Sequence, residues 1–201
     1  MLFFGRCIFR SQFFGLNERV SQMKIFNSKV FIGIGILILA VAGCTTKGRT
    51  MNTVQKVELE KFMGEWYVLA GRFTFLEVDV HNGLEKYTWN QDQQRIDVDF
   101  TYNKGSLTGP QKSIPQKAWI FNEVTKAHWK VSPFWPFKFD YLIVDLDENY
   151  RWTAIGVPDQ KYLWIMARDW KNPEATLQEA VKRLEAKGYD IKNLVRVPQE
   201  H

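Results

Sequence analysis

Apolar and polar residues alternate along much of the chain with the period of two that is typical of β-strands. Within residues 62–72, one face of such a strand carries Trp66, Val68 and Ala70, and the residues between them face the other way. Residues 95–103 alternate in the same manner, with apolar side chains on one face and acidic or hydroxyl side chains on the other. Both stretches are therefore predicted strands, and the indole of Trp66 at a strand start predicts a plug at one end of a closed sheet.

The chain after residue 57 predicts a series of short strands joined by turns. Further strands are expected at residues 83–90, 116–122, 127–132, 139–146, 151–157 and 162–168, with a short edge strand at 194–197 and a helical turn at 59–63. Gly, Pro, Asn and Asp between them are typical of the turns that join antiparallel strands. The series predicts an all-β fold, either an antiparallel sandwich or a barrel.

One amphipathic helix is expected near the C-terminus. Residues 172–188 contain Asn172 as a cap, Pro173 at the first helical position, apolar residues at helical spacing and a terminal glycine. Residues 162–167 are apolar on both faces, so a second layer must cover the outer face of that strand. We expect the helix to be this cover.

The N-terminal region has the order of a secretory signal. Residues 1–22 show no periodic pattern, whereas Met23 is followed by two lysines and then by the apolar run from Val30 to Ala42. This run is shorter than the roughly 20 residues that span a bilayer. We predict a signal peptide at residues 1–43, with residues 1–22 as an upstream extension if translation starts at Met23. The alternative is a longer charged segment.

The apolar run ends in residues 39–44, Leu-Ala-Val-Ala-Gly-Cys, which resemble the lipobox of bacterial lipoproteins. The resemblance implies that Cys44 is diacylated and becomes the new N-terminus, anchoring the chain to a membrane. Thr45 in place of Asp further implies the periplasmic face of the outer membrane. Several acyl chains, at about 0.8 kcal/mol per buried methylene, anchor a protein firmly. Residues 44–56 then form a lipidated tether; the alternative is an ordinary signal peptide and a free Cys44.

The formal net charge of +5 belongs mostly to the leader. Residues 1–43 carry five cations and one anion, so residues 44–201 carry 22 cations and 21 anions, a net charge of +1. A nearly neutral domain gives no electrostatic reason to expect nucleic-acid binding. Of the two cysteines only Cys44 remains after processing, so we expect no intramolecular disulfide.

Few residues follow a pattern of catalysis or metal binding. His81, His128 and His201 are far apart in the sequence and belong to no metal-binding motif, so we expect no metal site. Asp97 and Asp99 share one strand face, as a catalytic carboxylate pair could, but a solvated strand face explains them better. The sequence contains no phosphate-cradling glycine loop and no nucleophile elbow, and we expect no cofactor.

Three motifs, in this order and spacing, resemble those of the lipocalin family, most closely its bacterial members anchored as outer-membrane lipoproteins. They are Gly64 and Trp66 of a Gly-x-Trp motif, Asp147, and Arg168 at the end of an apolar strand. The neighbours of Asp147 depart from the Thr and Tyr of the family motif. The resemblance covers residues 57–199 and implies an eight-stranded antiparallel up-and-down lipocalin barrel with one C-terminal α-helix packed outside. It also implies that Arg168 packs across Trp66 to close the barrel, with no chemical role for these residues.

Aromatic side chains are plentiful and suit the lumen of a barrel that holds an acyl chain or another flat apolar ligand. The candidate ligand-binding residues are Tyr87, Trp89, Tyr102, Trp119, Lys138, Tyr141, Tyr162 and Trp164. Lys138 is either the partner of a carboxylate or phosphate head group or an ordinary solvated lysine. The Pro- and Phe-rich residues 133–137 are either a lip that touches a membrane or guides a lipid tail, or a loop folded over a barrel end.

These features predict a carrier without enzymatic activity, which binds a fatty acid such as palmitate, a lysophospholipid or a similar amphiphile. By resemblance it stores or moves lipid during envelope maintenance or stress. One alternative is an enzyme acting on a bound lipid, which needs a titratable pair inside the lumen that the sequence does not show. Another is an interaction module whose barrel is filled by side chains. The oligomeric state stays open, with a homodimer among the alternatives.

Overall fold

Nine strands and two helices form the part of the chain that the computed structural model describes, residues 52–201. The strands are β1 (Gly64–Arg72), β2 (Val80–Asn90), β3 (Arg95–Lys104), β4 (Gln111–Ile120), β5 (His128–Ser132), β6 (Phe139–Leu146), β7 (Trp152–Gly156), β8 (Leu163–Ala167) and β9 (Val195–Arg196). The helices are α1 (Leu59–Phe62) and α2 (Pro173–Ala186). The signal peptide predicted at residues 1–43 and the acylation predicted at Cys44 lie outside the described residues.

The strands close into a ring. Each strand from β2 to β7 pairs antiparallel with the next one, and β1 pairs with both β8 and β2. Residues 64–67 of β1 pair with β2, whereas residues 67–72 pair with β8. Helix α2 packs on the outside, against β7, β1, β6 and β8. The predicted eight-stranded antiparallel up-and-down barrel with one external C-terminal helix is therefore confirmed.

The barrel strands bury side chains on both faces. Inward-facing side chains such as Trp66 form one cluster in the barrel interior. Outward-facing Leu163 and Ile165 of β8 pack with Leu184 of α2 in a second cluster. Each leucine or isoleucine buried in this way stabilises the fold by about 1.5–3 kcal/mol. Helix α2 is thus the cover that the two apolar faces of residues 162–167 predicted.

A buried carboxylate specifies where α2 sits on the barrel. Asp145 of β6 is fully buried, and it accepts hydrogen bonds from the guanidinium of Arg183 at 3.0 and 2.5 Å. The ammonium of Lys187 lies 2.9 Å from the same carboxylate. Because a buried carboxylate without its cations is strongly unfavourable, any shift of α2 that separates these groups is costly.

The alternation predicted within residues 62–72 is wrong at Ala70. The pairing of β1 with β8 changes register between Val68 and Ala70. Ala70 therefore joins Leu69 in the cluster beneath α2, instead of sharing the inward face of Trp66. The physical reason is that an irregularity of this kind adds a residue to one strand, so that two successive side chains leave the strict alternation.

Strand β4 begins at Gln111, five residues before its predicted start at 116. Its first half contains Pro115, which lies opposite Asp99 of β3. Strand β5 joins β4 only from Lys117 onward, so Pro115 has a neighbouring strand on one side alone. Proline is tolerated at such an edge because no second ladder needs its missing N–H group.

The C-terminal segment fills the opening between β1 and β2. Strand β9 pairs with residues 70–71 of β1, as predicted for the edge strand at 194–197. The side-chain amide of Gln199 donates hydrogen bonds to the carbonyls of Val68 at 2.7 Å and Gly83 at 3.0 Å. These contacts join β1 and β2 where their own pairing has ended.

Candidate ligand-binding site

The end of the barrel at which β1 begins is sealed by stacked and hydrogen-bonded side chains. The guanidinium carbon of Arg168 lies 3.8 Å from the centroid of the Trp66 ring, the contact that the sequence resemblance implies. The Arg168 guanidinium also donates to four backbone carbonyls, those of residues 61–63 and of Glu65, at 2.6–3.0 Å. Trp66 Nε1 donates to the carbonyl of Phe62 at 2.8 Å. These bonds tie α1 and β1 to the end of β8.

Arg168 remains a cation in this position. Burial lowers the pKa of Arg168 to about 10, and the nearby Glu65 acts in the opposite direction. This pKa is still well above neutral pH, so the guanidinium is protonated. Its contact with the indole face is then a cation–π interaction, which contributes about 0.5–2 kcal/mol.

Asp147 organises the adjacent turn between β6 and β7. Its carboxylate accepts the backbone N–H groups of Asn149 at 2.9 Å and Arg151 at 3.1 Å, and the guanidinium of Arg151 at 3.0 and 2.6 Å. The hydrogen bond from the Arg151 side chain holds the pKa of Asp147 below its usual range. The carbonyl of Arg151 accepts the backbone N–H of Arg168 at 2.8 Å, so this turn is linked to the closed end.

An aromatic layer lies on top of the closed end. The ring of Trp129 is 5.2 Å from that of Phe62 and 5.3 Å from that of Tyr141, measured between centroids. The ring of Tyr87 lies 5.5 Å from Phe62 and 6.0 Å from Trp129. Offset and edge-on arrangements at such distances are favourable for aromatic rings. The layer forms a floor across the barrel.

A cavity of about 510 Å³ occupies the barrel above this floor. Its size falls within the range of about 300–1,000 Å³ that is typical of small-molecule sites. The walls are mainly apolar and include Val98, Phe100, Ile114 and Val131. Residues 74–77, 133–134 and 157–159, from three loops at the end of the barrel opposite Trp66, complete its lining. We call this end the mouth.

Five of the eight candidate ligand-binding residues line the cavity, namely Tyr87, Lys138, Tyr141, Tyr162 and Trp164. The other three lie elsewhere. Tyr102 belongs to the interior cluster but stacks on Phe100, and Trp89 packs against that cluster near the turn between β2 and β3. Trp119 follows Ala118, whose side chain is buried inside, so strand alternation places the indole on the outer face.

Lys138, the only cation among the eight candidate ligand-binding residues, is directed towards the outer face of the barrel. The ammonium of Lys138 lies 4.0 Å from the centroid of the Trp119 ring. Among the described residues that line the cavity, Lys138 is the only cation, whereas the acidic residues are Glu77, Glu85, Asp140 and Asp159. The lining is therefore acidic overall.

One of these carboxylates, Glu85 of β2, belongs to the floor of the cavity. Its side chain is 6% exposed, and its Oε2 accepts a hydrogen bond from the hydroxyl of Tyr87. The Tyr87 hydroxyl lies 2.6 Å from the hydroxyl of Tyr141. Within residues 52–201, Oε1 of Glu85 receives no hydrogen bond and is not among the fully enclosed polar atoms. It therefore opens on the cavity.

A second carboxylate, Glu77, lies in the loop between β1 and β2. Its Oε1 accepts the indole N–H of Trp164 at 2.9 Å, and its Oε2 accepts the N–H and the hydroxyl of Thr74 at 3.1 and 2.9 Å. Burial raises the pKa of Glu77. Burial, together with the negative charge of Glu77, raises the pKa of Glu85 to about 8. Burial and the same two carboxylates raise the pKa of Tyr141 well above its usual value.

Sequence reasoning found no titratable pair for the lumen, whereas the structure places Glu77 and Glu85 among the residues that line it. The sequence held a signal for Glu85, since Glu85, Tyr87 and Trp89 occupy every second position of one strand and so share its inward face. No comparable signal exists for Glu77, because side-chain direction in a loop has no periodicity. The fold alone brings it to Trp164.

The mouth is rimmed by exposed aromatic side chains. Phe75, Trp135 and Phe137 are 78%, 90% and 56% exposed. Phe134, which also lines the cavity, contacts the rings of Phe137 and Phe139 at centroid distances of 5.6 and 6.3 Å. The aromatic loop at residues 133–137 thus stands at the mouth, with Phe134 in the cavity lining and Trp135 and Phe137 exposed around it.

From residue 52 to residue 201, no three His, Cys, Asp or Glu side chains are grouped as metal ligands would be. None of the helices in this part of the chain has the length and apolar character needed to cross a membrane.

Comparison with known sequences decides the family. The sequence model of the lipocalin-like domain matches residues 57–199. The chain belongs to the lipocalin family. This lipocalin is 30% identical over 168 residues to the outer membrane lipoprotein Blc of Escherichia coli K12, covering 79% of this chain and 90% of that protein.

Other relatives of this lipocalin agree in length and fold. It is 27% identical over 161 residues to the outer membrane lipoprotein Blc of Vibrio cholerae, covering 79% of this chain and 92% of that protein. Among solved structures, insecticyanin from the tobacco hornworm Manduca sexta superposes with a TM-score of 0.57 at 12% identity, over 75% of this chain and 85% of that one. At this identity the structural likeness shows the fold alone.

Proposed function

We propose that this lipocalin binds a small amphiphile in its barrel. The observation that carries the proposal is the cavity of about 510 Å³, with apolar walls, a sealed floor and a mouth at the opposite end. Burial of the apolar part of a ligand drives capture, at about 25 cal/mol per Å² removed from water. Membership of the lipocalin family supports the same role. Lysophospholipids and other single-chain amphiphiles are candidate ligands, and storing or moving such a lipid in the cell envelope is the proposed role.

The experiment is extraction of the purified protein with organic solvent followed by mass spectrometry of the extract. An amphiphile is expected to copurify with the chain and to be lost when Ile114→Trp fills the cavity. Ser113→Trp is the matched control, because Ser113 is exposed and precedes a residue that lines the cavity. Absence of lipid in every extract, together with no displacement of a fluorescent amphiphile, would favour an interaction module instead.

We also propose that acyl chains on Cys44 hold the protein at the periplasmic face of the outer membrane. The lipobox-like residues 39–44 and the relatives named outer membrane lipoproteins support this placement. Cys44→Ser is expected to move the protein from the membrane fraction to the soluble periplasmic fraction. Retention of the Cys44→Ser protein in the membrane fraction would argue against an acyl anchor.

Catalysis is the second candidate, and the acidic pair in the lumen is the observation that favours it. A buried carboxylate with a raised pKa, such as Glu85, is typical of a general acid or base. We expect binding without turnover. Hydrolysis of a lysophospholipid by the purified protein, abolished by Glu85→Gln, would show instead that this lipocalin is an enzyme.

A further inference from the structure

We propose that the ligand of this lipocalin is an amphiphile with a protonated amine, which binds at the floor of the cavity against Glu85. The inference rests on the proposed function and specifies the head group of the ligand. It departs from the expectation of a fatty acid, because the charges that line the cavity have the wrong sign for a carboxylate head group.

The first argument is the balance of charge around the cavity. Asp140 is already paired with Lys130 at 2.6 Å and with His128 at 2.5 Å. Glu77 and Glu85 have no cationic partner among the described residues, and the Lys138 ammonium lies over Trp119 instead. An anionic head group would lie beside two carboxyl groups that have no cation, whereas an ammonium would favour their ionised form and compensate it.

The second argument is the supply of hydrogen-bond acceptors at the floor. An alkylammonium group is a donor without acceptor capacity. The floor offers it the open Oε1 of Glu85 and the oxygen of the neighbouring Tyr141 hydroxyl, while Tyr87 already donates to Oε2. A charge-assisted hydrogen bond of this kind is shorter and stronger than a neutral one.

The third argument is the direction of polarity along the barrel. The polar groups Glu85, Tyr87 and Tyr141 lie on the floor, whereas the mouth carries exposed aromatic side chains such as Phe75. A head group at the floor leaves the apolar part of the ligand along the walls and the mouth. The ligand therefore lies with its head group towards the closed end of the barrel and its apolar part towards the mouth.

Titration of the floor gives the inference a distinctive pH dependence. The other titratable and charged groups that line the cavity with Glu85 are Glu77, Tyr87, Lys138, Asp140, Tyr141, Asp159 and Tyr162. Because the pKa of Glu85 is about 8, a free cavity holds a proton at neutral pH that a bound ammonium displaces. Affinity for a cation should rise with pH up to that pKa, and affinity for an anion should fall over the same interval.

The experiment compares three probes of equal chain length, binding to the chain from residue 44 onward carrying Cys44→Ser. Dodecylammonium carries the N–H donors of the inferred ligand and, like a lysine side chain, stays protonated up to about pH 10, whereas dodecanol is neutral and dodecanoate is an anion. At about pH 8, dodecylammonium is expected to bind at least about tenfold more tightly than dodecanoate, which is the size of one charge-assisted hydrogen bond. From about pH 6 to about pH 8 its affinity should rise while that of dodecanol stays constant.

Two variants test whether the preference for a cation comes from Glu85 at the floor of the cavity. Glu85→Gln is expected to weaken binding of dodecylammonium about tenfold and to leave dodecanol binding unchanged. Glu123→Gln is the matched control, because Glu123 is exposed in the loop between β4 and β5 at the closed end. Dodecanol binding also reports that each variant is folded.

Each outcome has a separate meaning. If dodecanol binds and dodecanoate binds as tightly as the cation, or if Glu85→Gln leaves the cation unaffected, the amine inference fails and the proposed function stands. If none of the probes binds, the proposed function fails as well. If the amine inference holds, comparing dodecylamine with lysophosphatidylethanolamine distinguishes the two sources of an amine head group, a simple amine and an aminophospholipid. Tighter binding of the first identifies a simple lipophilic amine, and tighter binding of the second identifies an aminophospholipid.

Discussion

At the scale of single residues, the closed end of the barrel requires a residue without a side chain next to the guanidinium of Arg168. Gly64 has a φ of +97°, and a Cβ at this position would lie 3.3 Å from Nη1 of Arg168. Both the backbone conformation and the close approach therefore require glycine. The Gly-x-Trp motif contains a glycine because the arginine that packs on the tryptophan leaves no room for a larger side chain.

Substitution of this glycine should be costly for two separable reasons. Gly64→Ala is expected to reduce the free energy of unfolding by about 1–3 kcal/mol, from strain at positive φ and from crowding of Arg168. Gly105→Ala is the matched control, because Gly105 has a φ of +83° but no heavy atom within 4 Å of its Cβ position. Urea denaturation measures both. Equal costs would contradict a steric role for Arg168.

Glu85 should make the ligand-free protein less stable at alkaline pH. Its folded-state pKa of about 8 is above its ordinary value, so the folded state binds more protons than the unfolded state between these two values. The free energy of unfolding should therefore fall as pH rises through this window, by an amount on the order of 3–5 kcal/mol. Glu85→Gln should remove this dependence.

The measurement is denaturation of both proteins at a series of pH values from about pH 5 to about pH 9. The wild-type curve should fall relative to that of Glu85→Gln across the window. Parallel curves would mean that Glu85 does not titrate in this range.

At the scale of elements, the attachment of α2 to the barrel combines apolar packing with one buried ion cluster. Leu177, Ala180 and Leu184 supply the apolar contacts. Arg183 and Lys187 supply the cations for the fully buried Asp145. Apolar packing alone tolerates small shifts of a helix, whereas the ion cluster specifies its position along β6.

Removing one cation of this buried cluster should therefore reduce the free energy of unfolding far more than breaking an exposed ion pair does. Arg183→Met is expected to reduce the free energy of unfolding by about 3 kcal/mol, because Asp145 stays buried with fewer partners. Arg196→Met breaks the exposed pair with Glu174 and should cost about 1 kcal/mol or less. Urea denaturation at neutral pH compares the two. Similar small losses would show that Lys187 alone compensates Asp145.

At the scale of the whole molecule, binding and stability are linked through the cavity. A ligand that binds the folded barrel and not the unfolded chain stabilises it by about 2.7 kcal/mol at a free concentration of 100 Kd. The melting temperature of the protein should therefore rise with dodecanol concentration. In Ile114→Trp this rise should disappear, whereas Ser113→Trp should keep it. Calorimetry of the three proteins provides the test, and a rise that persists in Ile114→Trp would place the ligand outside the cavity.

The barrel and its helix could be predicted because their signals are local and periodic. Residues 95–103 alternate strictly, and residues 172–188 combine a cap, a proline and helical spacing. The prediction failed where the periodicity stops. Ala70 lies beside a register shift, and residues 111–115 of β4 include a proline and several polar side chains that hide a strand.

The candidate site was predicted in part, for a similar reason. Tyr87 and Tyr141 were predicted as aromatic residues on alternating strands, and both line the cavity. Trp89 and Trp119 were selected by the same criterion, but neither lines it. Alternation along a strand does not show how deep in the barrel a side chain lies or which of the two faces is the inner one. Depth within the lumen depends on where each strand begins relative to its neighbours, and this register is a property of the assembled sheet.

The sequence by itself determined the strand series, the external helix and the residues of the closed end, because hydrophobic periodicity and short motifs act between near neighbours along the chain. The tertiary structure decided the character of the cavity. Glu77 comes from a loop and Glu85 from a strand. Glu77 raises the pKa of Glu85 only because closure of the barrel buries both, Glu77 beside Trp164 and Glu85 beside Tyr87. Electrostatic coupling acts through space, so no pattern along the chain contains it.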